Sequence, residues 1–285
     1  MGMNYDDIVR RCDQYYKQTK EAHEQLEVFY RGQARDWELK SKLQREIEDG
    51  EKEAKQKINV SDFILQNASW DKERSVFENI AHMQHYGKPT RFLDFTKSMD
   101  VALYFACESE KQEDGVIYCC SYPGRNCEFY EVELMMEIAQ LTQPIQVDEF
   151  VKLFLGKNPY IRDLLGYGDL DLRERLGLRI LSWADHGFMI VPTDEEAEKL
   201  KEWNPRMYSQ KGVFFVQGNK IQGDDTRPMT RNISRVIITN ELSEIPSTIS
   251  TSRHIDKIVI PYQDKEELLK VLHSKGVNKK SLYLE

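Results

Sequence analysis

Three features of the 285-residue chain predict an α+β fold: short β-rich runs lie among amphipathic helical stretches, the two alternate irregularly, and no internal repeat occurs. Residues 4–26 place Ile8, Cys12, Tyr15, Ala22 and Leu26 at helical spacing, so residues 1–27 read as a helical N-terminal arm that docks its apolar face. Val28–Gly32 is a β-rich run broken by glycine, and residues 37–56 are helix-prone and heavily charged, with the tract EIEDGEKEAKQK solvated. A helix is expected over Trp70–His85, with Phe77, Ile80, Ala81 and Gln84 on one side, and Gly87 and Pro89 stop it. Residues 90–96 (TRFLDFT) are extended, and Ser98 caps a helix over Met99–Ser109.

Further on, Gly115–Ser121 and Glu128–Leu134 read as strands, and residues 135–186 as a mainly helical insertion. Gly187–Val191 is a strand, Thr193 caps the charged helix DEEAEKLKEW, and Gly212–Gln217 is a buried strand. The stretch ends as strand (IDKIVIP), helix (DKEELLKVLHSKG, with Gly276 at its C-cap) and short strand (SLYLE). Residues 28–285 then form one compact unit with a helical insertion near 135–186.

Charge and cysteine usage exclude several classes. A net charge of −8 and a pI of about 5.5 disfavour a general attraction to phosphate backbones. The basic cluster Arg31, Arg35, Lys40, Lys42 and Arg45 reads as a solvated face. Cys12, Cys107, Cys119, Cys120 and Cys127 are odd in number and scattered, which is no disulfide framework, and no Cys/His grouping has zinc-ligand spacing. The polar N-terminus has no signal-peptide core, and no run of about 18 apolar residues suggests a membrane span. The expected setting is cytoplasmic, without metal or membrane.

Met83–Ala106 (MQHYGKPTRFLDFTKSMDVALYFA) concentrates His85, Tyr86, Arg91, Asp94, Thr96 and Ser98 between two apolar helices. Polar groups sandwiched by core segments must be paired or face a ligand. On a regular strand Asp94 and Thr96 share a face and Arg91 does not. His82 and His85, three apart, could share a metal, but no third ligand stands out.

FYRGQ (Phe29–Gln33), then Trp37, Leu39 and Ser41, then QHYGKPTRFLDFTKS and ALYFA, resemble the FRG domain family. RMYSQKGVFF (Arg206–Phe215) resembles a later family segment, so the resemblance runs over residues 24–285. It implies a bacterial or phage protein and supplies no reaction. The order of segments is also similar, at fold level, to ADP-ribosyltransferases, in which small mixed sheets form an NAD cleft. That similarity implies three elements: Tyr30-Arg31-Gly32, Phe95-Thr96-Lys97-Ser98 and Ser209-Gln210-Lys211-Gly212.

On this analogy Arg31, Asp94 and Gln210 form the catalytic set, and Arg31, Gly32, Gln33, His85, Tyr86, Arg91, Thr96 and Ser98 bind NAD. Arginine forks onto pyrophosphate, and glycine lets ligand approach the backbone. Gln210 stands where an acid would be most useful, and an amide cannot act as a base. Asp94 is the substitute. The implied activity is an NAD-dependent ADP-ribosyltransferase or NAD glycohydrolase, a toxin or antiphage effector with a protein or nucleic-acid acceptor. The alternatives are a non-catalytic ligand-sensing or interaction module, favoured by the missing acid, and a nuclease built on His82, His85 and Asp94.

Overall fold

The computed structural model describes residues 2–54, 76–123, 129–166, 168–223, 233–243, 245 and 255–284. In chain order the elements are α1 (Tyr5–Ala22), β1 (Leu26–Gln33), α2 (Lys42–Ala54), α3 (Val76–His85), β2 (Phe92–Thr96), α4 (Met99–Cys107) and β3 (Gly115–Pro123). There follow α5 (Phe129–Ala139), β4 (Ile145–Gln146), α6 (Val147–Lys157), α7 (Tyr160–Leu165), α8 (Asp169–His186), β5 (Phe188–Ile190), α9 (Asp194–Trp203) and α10 (Pro205–Ser209). The remainder is β6 (Gly212–Val216), β7 (Asn219–Gln222), β8 (Ile237–Leu242), β9 (Ile255–Ile260), α11 (Lys265–Ser274) and α12 (Lys279–Tyr283). The architecture is α+β with antiparallel, open sheets.

Several local readings need correction. The helix expected over residues 4–26 ends at Ala22, which is exposed, and Leu26 opens β1 and is buried there. From Phe129 on, the expected strand Glu128–Leu134 is helix α5, because Tyr130, Leu134 and Ile138 recur every four residues and all are buried. The expected strand SLYLE is helix α12 over its described first turn: Asn278 and Ser281 form a reciprocal capping box, and this outweighs the short apolar run. The expected helix over Trp70–His85 is described from Val76 onward. Helix α4 ends at Cys107, two residues short of the expected Ser109.

The main sheet has the order β5-β6-β2-β1-β3-β9. Strand β1 pairs with β3 over its whole length, from Leu26↔Pro123 to Gln33↔Val116. Strand β2 pairs with β6 along all five residues, from Phe92↔Val216 to Thr96↔Gly212. Between β1 and β2 the ladder consists of the single pair Tyr30↔Thr96. The sheet is therefore two three-stranded halves joined at one rung, and it forks beside Arg31, Gly32 and Gln33 on one lip and Asp94 and Phe95 on the other.

Side-chain alternation separates the cores. On one face, Phe29, Leu93, Phe95, Cys120, Tyr122, Met189, Val213 and Phe215 form a cluster under Leu39 and Ile245. The other face carries two clusters. One joins α1, α4 and α11 to Val28, Tyr30, Ile117, Cys119, Ile258 and Ile260. The second joins α3, α5, α6 and α8 to Phe92, Phe214 and Val216. Cys119 and Cys120 thus point to opposite faces and both are buried. A small sheet, β4-β8-β7, adds to the helical cluster.

Candidate functional site

The three expected segments meet in register. Tyr30 pairs with Thr96, and Thr96 pairs with Gly212, so the aromatic-Arg-Gly, Thr-Lys-Ser and Ser-Gln-Lys-Gly stretches lie side by side on neighbouring strands. Of their polar side chains, Thr96 is the one that bridges two of the segments among the described residues. The Thr96 hydroxyl donates to the Gln210 carbonyl at 2.7 Å and accepts from the Ser98 N–H at 2.9 Å. Ser98 caps α4 through Val101 N–H. Lys211, at φ +48°, turns the chain into β6 in the left-handed region, which is costly for a residue that carries a Cβ, and its carbonyl takes the Lys97 N–H at 3.1 Å.

Gly32 serves a different approach from the one the sequence suggests. A Cβ there would lie 1.7 Å from the Ala102 carbonyl oxygen and 2.9 Å from the Ala106 N. The glycine lets β1 sit directly against the backbone of α4. Its neighbour Arg31 leaves the sheet on the opposite face from Asp94, by the alternation of paired residues. The guanidinium is half-buried and reaches the Asp94 backbone carbonyl, Nη1 to O at 2.5 Å. It thus replaces a rung that the forked sheet lacks. Burial lowers the Arg31 pKa below its ordinary value, and the charge of Asp94 works the other way. Arg31 Nε and Gln33 Oε1 are buried without hydrogen-bond partners among the described residues.

Arg91 is a clamp. It is 3% exposed and donates to Asn219 Oδ1 (2.7 Å), the Gln217 carbonyl (3.2 Å) and the Ala139 carbonyl (2.9 Å). With every acceptor neutral, burial alone lowers its pKa to about 10. Tyr86 is exposed and rests against His82, with ring centroids 4.6 Å apart. His85 ends α3, and its side chain lies outside the described residues. Among the described residues, no cluster of metal-ligating side chains occurs and no helix is long and apolar enough to cross a membrane.

A cavity of about 90 Å³ opens on the Asp94 side of the fork, lined by Gln84, Asp94, Asn204, Arg206, Met207, Gln210 and Phe214 among others. Its apolar lining draws Met207 and Phe214 from the helical cluster and Phe95 and Val213 from the cluster of the other face. Asp94 is exposed, and its two carboxylate oxygens accept from Gln84 Nε2 at 3.3 Å each. Gln84 is in turn held by the Thr90 hydroxyl and the Phe92 carbonyl. Asp94 is the one carboxylate among the lining residues, and Arg206 is the one cation. Gln210 lines the same wall, its amide donating to the Leu282 carbonyl at 3.1 Å.

Asn204 was not foreseen. Its Oδ1 accepts the Met207 N–H at 3.1 Å and starts α10, which aims Arg206 and Met207 at the cavity. The Asn204-Pro205 dipeptide is a turn signal that pointed there. Leu282 and Tyr283, behind the wall, follow from no local motif.

Comparison with known proteins returns no match among curated proteins and none among solved structures. Residues 26–115 match the FRG domain family, and this span contains β1, α2, α3, β2, α4 and the first residue of β3. The fork, with Arg31 on one lip and Asp94 on the other, therefore lies wholly inside the matched span, and the chain carries an FRG domain.

Proposed function

We propose that the FRG domain binds a small polar ligand of the nucleotide class at the fork, with NAD as the first candidate. The observation that carries this reading is the forked sheet itself. Two half-sheets joined by Tyr30↔Thr96 diverge beside Arg31, whose Nε lacks a hydrogen-bond partner among the described residues, and Asp94, whose side-chain hydrogen-bond partner among them is the neutral amide of Gln84. Small ligands favour concave sites with a few convergent polar groups. Arg206 lines the cavity beside Asp94, while Arg31 enters the gap from the opposite face; each guanidinium can fork onto phosphate, and Asp94 accepts from ribose hydroxyls. The cavity of about 90 Å³ is large enough to admit a polar group of such a ligand.

Asp94 is also the group placed to steady the oxocarbenium-like charge that forms when nicotinamide leaves NAD, as in an ADP-ribosyltransferase or glycohydrolase. One observation favours binding without turnover. Thr96 is bonded to the Gln210 carbonyl and the Gln210 amide to Leu282, so neither is poised to activate an acceptor. A calorimetric titration with NAD and ADP-ribose, run beside an assay for free nicotinamide, decides the matter. Binding with release makes the domain an enzyme, and binding without release makes it a sensing module. No heat from either ligand at millimolar concentration would end the reading.

A further inference from the structure

We infer that helix α12 is a positioning element of the pocket, with Tyr283 holding Arg206 and the Leu282 carbonyl holding Gln210; this rests on the reading of the pocket as a nucleotide-class site. The Arg206 guanidinium lies 4.6 Å over the Tyr283 ring. The Tyr283 hydroxyl donates to the Glu108 carboxylate at 3.0 and 3.1 Å, which ties the ring to the end of α4. The Phe105 ring meets Tyr283 edge-on at 6.2 Å. One residue earlier, the Leu282 carbonyl accepts from both Ser209 Oγ (3.0 Å) and Gln210 Nε2 (3.1 Å).

Leu282 itself is 3% exposed and anchored in the cluster of α1, α4 and α11. The helix is therefore fixed to the half-sheet of β1, β3 and β9, while the residues it grips lead into β6 on the other half. Residues 279–283 do not line the cavity, so α12 braces the wall from behind and does not plug it. Among the described residues Arg206 makes no carboxylate ion pair, and it lies over the ring of Tyr283, whose hydroxyl holds the Glu108 carboxylate nearby.

The test compares Tyr283→Ala and Tyr283→Phe in the full chain. A cation–π contact of this kind contributes enough that its loss should weaken ADP-ribose binding roughly three- to tenfold. Affinity for adenosine, which has no phosphate for Arg206, should stay unchanged. Tyr283→Phe keeps the ring and should recover most of the ADP-ribose affinity. Backbone hydrogen exchange across residues 205–211 should quicken in Tyr283→Ala and return in Tyr283→Phe, and this arm needs no ligand. An equal loss for both ligands, or unchanged exchange in Tyr283→Ala, overturns the inference. A wild-type chain that binds neither ligand removes the nucleotide reading alone, and the exchange arm then decides the positioning role.

Discussion

Two arginines contact the surroundings of β2, and their environments differ. Arg91, just ahead of the strand, is buried and spreads three hydrogen bonds over neutral acceptors from α5, β7 and the residue after β6. Arg31, at the fork, is half-buried and makes one, to a backbone carbonyl. Each keeps an Nε without a partner among the described residues. A guanidinium saturated by several segments is a clamp, since its removal strands several buried acceptors at once. A guanidinium holding a single rung at a fork can change partner when a ligand offers phosphate oxygens. The first region is therefore built for stability, and the second is the one on which the proposed ligand reading rests.

Gly32→Ala tests the most rigid part of the fork. Its Cβ would collide with the Ala102 carbonyl, so α4 must move away from β1, with an expected loss of about 3 kcal/mol or more, read as a lowered urea midpoint or loss of soluble protein. Arg91→Met should lose about 3 kcal/mol in the same measurement, because Asn219, Gln217 and Ala139 are left with buried acceptors unmatched. Arg31→Ala should lose about 1 kcal/mol of stability but at least tenfold in NAD affinity by calorimetry. The clamp-versus-binding distinction breaks if the two arginine variants lose equal stability.

Asp94→Asn sharpens the contrast further. The exposed carboxylate should be replaceable within about 0.5 kcal/mol of stability, while affinity for ribose-bearing ligands falls. The smallest effect concerns pH. Burial holds the Glu108 carboxyl above its ordinary 4.5, with Tyr283 and Arg206 pulling it down. The folded chain thus binds that proton more tightly than the unfolded chain. The associated stability is present below about pH 4.5 and is lost as pH rises through the folded value. Glu108→Gln should flatten that slope in a pH series of denaturation midpoints.

Much of this arrangement is legible in the residues. Helical spacing places Ile8, Cys12 and Tyr15 inward, and strand alternation puts Cys119 and Cys120 on opposite faces; the register that separates Arg31 from Asp94 is not in the sequence. The roles within the dense stretch from Met83 to Ala106 are not legible, because Arg91, Thr96 and Asp94 are equally polar on paper. Only partners more than 100 residues away, Asn219 for Arg91 and Gln210 for Thr96, separate spent groups from available ones. Gly32 shows the same limit: a missing Cβ looks alike whether a ligand or a helix backbone fills the space. The short strands β4, β7 and β8 carry too few residues for a period of two to register.

A seam one residue wide has a mechanical consequence. Sliding or rotating one half of an ordinary sheet against the other breaks a ladder of backbone bonds together, whereas here the backbone at stake is the rung of Tyr30 and Thr96. What resists opening is side-chain matter: the apolar cluster of Phe29, Tyr122, Leu93 and Phe215 that spans both halves, the Arg31 strut across the gap, and α12 gripping the far half from behind. The width of the gap is thereby governed by groups that a bound molecule or a point substitution can alter, while each half keeps its own ladders intact.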